Sequence, residues 1–275
     1  SNGNEVLLSA GVTRLTWHGP NDIEVFYQQN GEDRSIRANA VLSTIPLGHL
    51  VRMLTPACDK DVEEAARGLV FRDLVTVNVI FRKKQVSPDT WLYVQDEDVL
   101  FGRLHEPKNW SAAMVPDPEH TSLVLECFCT KGDAVWQMGD DDIVKRCVRD
   151  LVDKLKFVRD EDFLDAAVVR TTHAYPVYDL EYARKIDTIK AFLANFEGLN
   201  IVGRGGTFRY NNADHSVEMG LLFGRKLLGY DIDHLAVNTE PEYQEIKRGD
   251  DLQRDRFTGA TANFKAAAAE RLVVD

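Results

Sequence analysis

Between residues 74 and 82 apolar and polar side chains alternate. Val75, Val77, Val79 and Phe81 take one face of a strand, with Thr76, Asn78 and Arg82 among those on the other. Shorter runs of β-formers, Val6-Leu7-Leu8, Val12 to Trp17 and Ile23 to Tyr27, predict strands parted by Gly-Pro-Asn and Asn-Gly turns. Ala40 to Pro46 predicts a buried strand, ended by a proline that has no N–H for a sheet ladder. Trp91 to Val94, Val99 to Arg103 and Ser122 to Phe128 predict three more. The loop at 105–120 is rich in Pro, Asn, Asp and Ser, and a loop of that length is often functional.

Helical spacing appears elsewhere. Asp59 to Gly68 predicts a short helix. In 140–155 the residues Val144, Cys147, Val148, Leu151 and Leu155 form one stripe, and in 180–196 Tyr182, Ile186, Ile189, Leu193 and Phe196 recur every three or four positions. Leu199 to Val202 reads as a short strand that runs into Gly203-Arg204-Gly205-Gly206. A polar aromatic turn follows, then a helix from about Ala213 to Leu228. From Asp231 the periodicity fades until an alanine-rich stretch at 260–272, so 231–275 is expected to be an appended tail. The fold class is α+β: a large, mostly antiparallel sheet with flanking helices.

Composition narrows the function. The 275 residues carry a net charge of −11, which argues against nucleic acid as a partner. A few placed arginines still suffice for one phosphate group. No apolar run reaches the 18 or so residues of a membrane span, and no basic segment precedes an apolar stretch at the start. Of the four cysteines, Cys127 and Cys129 share a strand face, which is not a zinc spacing, and all four read as small buried hydrophobes in a reducing compartment. A cytoplasmic location is therefore expected. No histidine has a partner spacing that suggests a metal or a triad.

The segment 199–228 is the best candidate for chemistry. A strand ends on glycines, and a helix then begins near Asn212 to Asp214 with its free N–H groups facing outward. Such a helix start can face an electron-rich group, and Arg204 can hold a phosphate or a substrate anion. Spacing alone points rather to a capped helix, with Asn212 or Asp214 as cap and Arg204 as a surface charge.

The same residues resemble the C-terminal FAD motif of the flavin-containing amine oxidase superfamily, which includes UDP-galactopyranose mutases and protoporphyrinogen oxidases. In that motif a Gly-Arg strand end is followed by aromatic-x-Tyr, Asn-x-Asp-His-Ser and a helix. Three more segments are similar in the same order: Ala40 to Pro46, Phe101 to Ser111, and Ala174-Tyr175-Pro176-Val177-Tyr178. The resemblance implies FAD as cofactor, touched by Gly203, Arg204, Gly205, Asn212, Asp214, His215 and Ser216. It implies a nucleotide-sugar substrate whose diphosphate meets Arg103, Tyr175, Arg204 and Tyr210, with no catalytic side chain assigned. The implied reaction is that of the mutases in polysaccharide synthesis, in which reduced FAD attacks the anomeric carbon and displaces UDP. The turn Tyr210-Asn-Asn-Ala-Asp214 departs from the mutases, with Ala213 where methionine is common. An amine oxidase-like or protoporphyrinogen oxidase-like oxidation and a non-catalytic binding or assembly module stay open. For Arg103 a surface-strand charge, and for Tyr175 a packed aromatic, are the plain alternatives.

The family's opening Gly-x-Gly-x-x-Gly turn is not found in this sequence. The expectation is a C-terminal part of such an enzyme, with weak or no FAD affinity by itself and an apolar surface that meets a missing half or a second copy. The expected division is 3–50 as a remnant of an FAD-binding α/β domain, 51–197 as substrate domain, 198–230 as the FAD-contacting strand–turn–helix, and the tail.

Overall fold

Three strands open the chain as a meander: β1 (Ala10–Gly19), β2 (Asp22–Gln29) and β3 (Glu32–Ala38). The Asn30-Gly31 corner has both residues at positive φ, as a tight hairpin needs. Sequence patterning does not announce β3, whose residues are mostly polar. It is an edge strand, paired on one side only, and needs no apolar face. The expected strand at Val6 to Leu8 does not form. Those side chains are exposed, and no neighbouring strand offers a ladder there.

Next come β4 (Val41–Ser43), α1 (Leu47–Met53), β5 (Leu54–Thr55) and α2 (Lys60–Arg67). β4 is shorter and less buried than expected, with only Ser43 fully covered. Asp59 caps α2 by accepting the Val62 N–H at 2.9 Å. β5 lies parallel to β1 and completes a sheet of order β3-β2-β1-β5.

The second sheet starts with β6 (Phe71–Phe81), whose Val75, Val77, Val79 and Phe81 are wholly buried. It continues with β7 (Trp91–Tyr93), β8 (Arg103–His105) and β9 (Thr121–Cys129). The strand expected at Val99 to Arg103 begins only at Arg103; Leu100 instead gives its N–H to the buried Asp150 carboxylate. After α3 (Ala134–Gln137) and α4 (Asp140–Arg149), the helical stripe to 155 ends in a π-helical turn over Asp150–Lys154. β10 (Phe163–Pro176) then returns along β6. The order is β10-β6-β9-β8-β7, antiparallel throughout.

The chain closes with α5 (Tyr182–Leu193), β11 (Leu199–Ile201), α6 (Gly203–Thr207) and α7 (Ala213–Leu227). β11 pairs with β4 in parallel. One apolar core gathers Leu15, Leu47, Leu50, Ile186, Ile189 and Phe208. The other lies on the large sheet, where Val77, Phe81, Leu125 and Cys127 meet Ile143 and Cys147 of α4. The computed structural model describes residues 4–238, and those up to Leu235 make one compact unit. The expected tail lies outside the described residues beyond Asn238. No described helix is long and apolar enough to cross a membrane, and no metal-binding cluster occurs among the described residues.

Candidate functional site

Arg103 and Glu126 stand directly opposite each other on β8 and β9. A charged residue flanked by Leu125 and Cys127 on a core strand needs a partner. Arg103 supplies it edge-on, Nε to Oε1 at 2.8 Å and Nη2 to Oε2 at 2.6 Å. Their side chains are only 11% and 6% exposed, so Arg103 is no surface-strand charge. Burial opposes the charge on the guanidinium, but the hydrogen bonds to Glu126 and Tyr93 and the Glu126 charge hold it firmly protonated. Its positive charge is thus cancelled inside the protein.

Tyr175, near the end of β10, joins this pair. Its hydroxyl donates to Glu126 Oε2 at 2.9 Å and accepts from Arg103 Nη2 at 2.5 Å. Burial, followed by the neighbouring Glu126 carboxylate, pushes the phenol up to about 12. With its hydroxyl spent on Glu126, Tyr175 offers mainly its ring to what lies beyond.

That ring stacks on Tyr210, with centroids 5.5 Å apart and planes at 22°. Arg204 lies against both rings, its guanidinium carbon 4.8 Å from the Tyr175 centroid and 5.0 Å from that of Tyr210. Its Nε donates to Asn211 O at 2.7 Å and Nη1 to Ala174 O at 3.0 Å. Both acceptors are neutral carbonyls, and Arg204 makes no ion pair among the described residues. The two arginines therefore differ: both lie near the Tyr175 ring, but only Arg204 keeps an uncompensated charge.

The four expected substrate residues, Arg103, Tyr175, Arg204 and Tyr210, thus form one connected cluster. Sequence reasoning missed Glu126, although a lone acid in an apolar strand is a usable signal. It also missed Trp91 and Tyr93, which place their rings 5.6 and 5.8 Å from the Arg103 guanidinium carbon. Tyr178 was missed as a contact too; its hydroxyl accepts the Tyr210 N–H at 2.7 Å and so fixes the turn.

The glycines also shape the backbone of this turn. Gly203-Arg-Gly-Gly-Thr is a helical turn, and its Gly205 and Gly206 pack closely against the backbone of Ser43 and Thr44 at the end of β4. A Cβ on Gly206 would lie 2.8 Å from Ser43 O, and one on Gly205 3.4 Å from Thr44 O. Gly203 is needed for its φ of +76°. Asn212 caps α7 in a capping box with His215, whose Nδ1 accepts the Asn212 N–H at 3.0 Å. His215 is thereby a buried helix-start residue. Asp214 is exposed, and Ser216 Oγ donates back to Asn212 O at 3.2 Å.

The family model described as flavin containing amine oxidoreductase matches residues 1–184. The chain belongs to the flavin-containing amine oxidoreductase family. Three solved structures share its fold. A reduced UDP-galactopyranose mutase has a TM-score of 0.69 at 18% identity, covering 84% of this chain and 48% of its own. A protein from Exiguobacterium sp. 255-15 assigned as a protoporphyrinogen oxidase has a TM-score of 0.53 at 19% identity, with 71% and 42% covered. A putrescine oxidase triple mutant redesigned in cofactor binding has a TM-score of 0.59 at 14% identity, with 82% and 50% covered. The chain spans about half the length of these structures or less. No curated protein matches it.

Membership in this family implies a flavin, and the start of α7 fits one edge of such a ring. The first-turn N–H groups of a helix lack intrahelical acceptors, and Ala213 and Asp214 at this start are exposed. Helix dipole and backbone donors there favour the electron-rich edge of a flavin.

Proposed function

We propose that this chain forms the substrate-facing wall of an FAD-dependent enzyme that acts on a nucleotide-sugar in polysaccharide synthesis, in the manner of a UDP-galactopyranose mutase. The single observation that supports this reading is Arg204: a guanidinium held against two stacked tyrosines, with its charge left for an incoming anion. A diphosphate suits that charge, because guanidinium groups bind phosphate oxygens through paired donors. The nucleobase or sugar has the Tyr175–Tyr210 stack as an aromatic surface.

Arg204 binds diphosphate oxygens and neutralises charge on the leaving nucleotide. Tyr210 lines the same position. Tyr175 keeps its proton because of burial and Glu126, and so presents a neutral ring and a fixed hydroxyl. Arg103 is a positioning residue that acts through Glu126 on Tyr175. Asn212, Asp214, His215 and Ser216 set the helix start that would hold the flavin edge, while Gly203 and Gly205 shape the turn that carries Arg204. The covalent and electron chemistry at the sugar is what a bound flavin supplies.

Calorimetry with UDP, comparing the chain with its Arg204→Gln variant, tests the reading. An enzyme of the amine oxidase type would ignore UDP, and so would a module that binds other ligands.

A further inference from the structure

A cleft of about 330 Å³ opens where α1, α2 and the near ends of β6 and β10 meet. Its lining includes His49 and Arg52 from α1, Arg67 at the end of α2, Leu69, Phe71 and His173. It shares no residue with the Arg103–Tyr175–Arg204–Tyr210 cluster. No carboxylate lines it among the described residues, although the chain as a whole carries a charge of −11. A local reversal of sign of this kind draws in anions.

The donors are arranged rather than scattered. Arg52 gives Nε to Gly48 O at 3.1 Å and forms no ion pair among the described residues. Arg67 is shared with Glu63 at 2.6 Å, which leaves Arg52 as the stronger anchor. The rings of His49 and His173 meet edge to face at 4.6 Å, and His173 also packs on Phe71 at 5.2 Å. Burial, then the neighbouring His173 and Arg52, hold His49 below the ordinary imidazole range.

His173 reaches the cleft through an unusual backbone. Its φ is +58°, at the register shift of β10 between Thr171 and Tyr175. A left-handed backbone is costly for a residue with a Cβ, and strained positions cluster at binding sites. The buried Asp73 stabilises the bulge, accepting the His173 N–H at 2.8 Å with one oxygen and the Lys131 N–H at 2.7 Å with the other. A regular strand would avoid the strain but would not hold the imidazole at this place.

We propose that this cleft binds a small phosphate monoester, with Arg52, His49 and His173 as donors to the phosphate and Phe71 and Leu69 as the floor for its organic body. A tetrahedral oxyanion accepts from several converging donors, and the cleft volume is at the lower end of small-molecule sites, about 300–1,000 Å³. The site stands independently of the nucleotide-sugar reading.

Calorimetric titration of the full chain with inorganic phosphate and with a hexose 1-phosphate tests the proposal. The expected result is saturable binding of both, tighter for the monoester and weakened about tenfold in Arg52→Gln, as loss of one charge-assisted hydrogen bond implies. His173→Asn tolerates the left-handed backbone, so it should weaken binding while leaving the melting temperature unchanged or raised. Arg204→Gln should leave phosphate binding intact, which separates this cleft from the nucleotide-sugar site. Absence of saturable binding by either probe overturns the proposal. So does binding that Arg52→Gln and His173→Asn leave unchanged, or that only Arg204→Gln removes.

Discussion

Arg103 and Glu126 face each other across neighbouring strands and exchange two hydrogen bonds, at 2.8 and 2.6 Å, where water hardly reaches. Removing one partner strands the other as a buried charge. Arg103→Ala should therefore cost about 3–5 kcal/mol of stability, while Arg103→Met combined with Glu126→Leu should recover most of it. Urea unfolding of the three proteins checks this. An Arg103→Ala variant as stable as the parent would show that the pair is solvated and not the frame of the site.

Gly203 and Gly206, both in α6, should respond differently to alanine. At Gly206 the new Cβ would meet Ser43 O at 2.8 Å, so α6 and β4 must separate. At Gly203 there is room, with nothing nearer than Thr44 Cγ2 at 4.0 Å, and the cost is the φ of +76° alone. Gly206→Ala should lose about 1–3 kcal/mol from overpacking and Gly203→Ala about 1 kcal/mol from backbone strain. Because α6 carries Arg204, Gly206→Ala should also weaken ligand binding. Equal losses of stability in the two variants would contradict the packing account.

The phenol of Tyr175 gives an alkaline signature. Its folded value of about 12 lies above the ordinary 10. Between those values the unfolded chain releases a proton that the folded chain keeps. The contribution to stability is complete below pH 10 and is lost as pH rises through about 12. Tyr175→Phe should flatten this part of the stability profile. Tyr178, also raised by burial, provides a smaller background of the same sign. Unfolding free energies measured across that range decide it, and a profile unaltered by Tyr175→Phe would count against the buried Tyr175–Glu126 contact.

FAD should bind the chain weakly by itself. The start of α7 offers one edge for a flavin, and the sequence holds no Gly-x-Gly-x-x-Gly turn for the pyrophosphate. Flavin added in excess should be lost on gel filtration. Retention of one flavin per chain would contradict this and would mean that the chain holds more of the cofactor than one edge.

Much of the framework was legible because local signals agreed with tertiary need. The alternation of Val75, Val77, Val79 and Phe81 maps onto a strand buried on that face, and Asp59 caps the helix it precedes. The long β10 escaped notice because its residues alternate only between half-buried and exposed, with Asp165, Arg170, Thr171 and Thr172 interrupting any apolar face. β3 escaped because an edge strand can be polar. In the candidate site, Tyr175, Arg204 and Tyr210 were readable as residue types in a motif, and the fold brings them together. The partner of Arg103 was not readable, since Glu126 lies 23 residues away and meets it only through sheet register. Nor does a sequence show that one arginine is neutralised and the other is not.

The free charge of Arg204 is what would hold a diphosphate, and calorimetric titration with UDP reads it out. Saturable binding is expected, falling about 10- to 100-fold in Arg204→Gln through the loss of a charged hydrogen-bonding group. Absence of UDP binding, or binding that Arg204→Gln leaves unchanged, would contradict it.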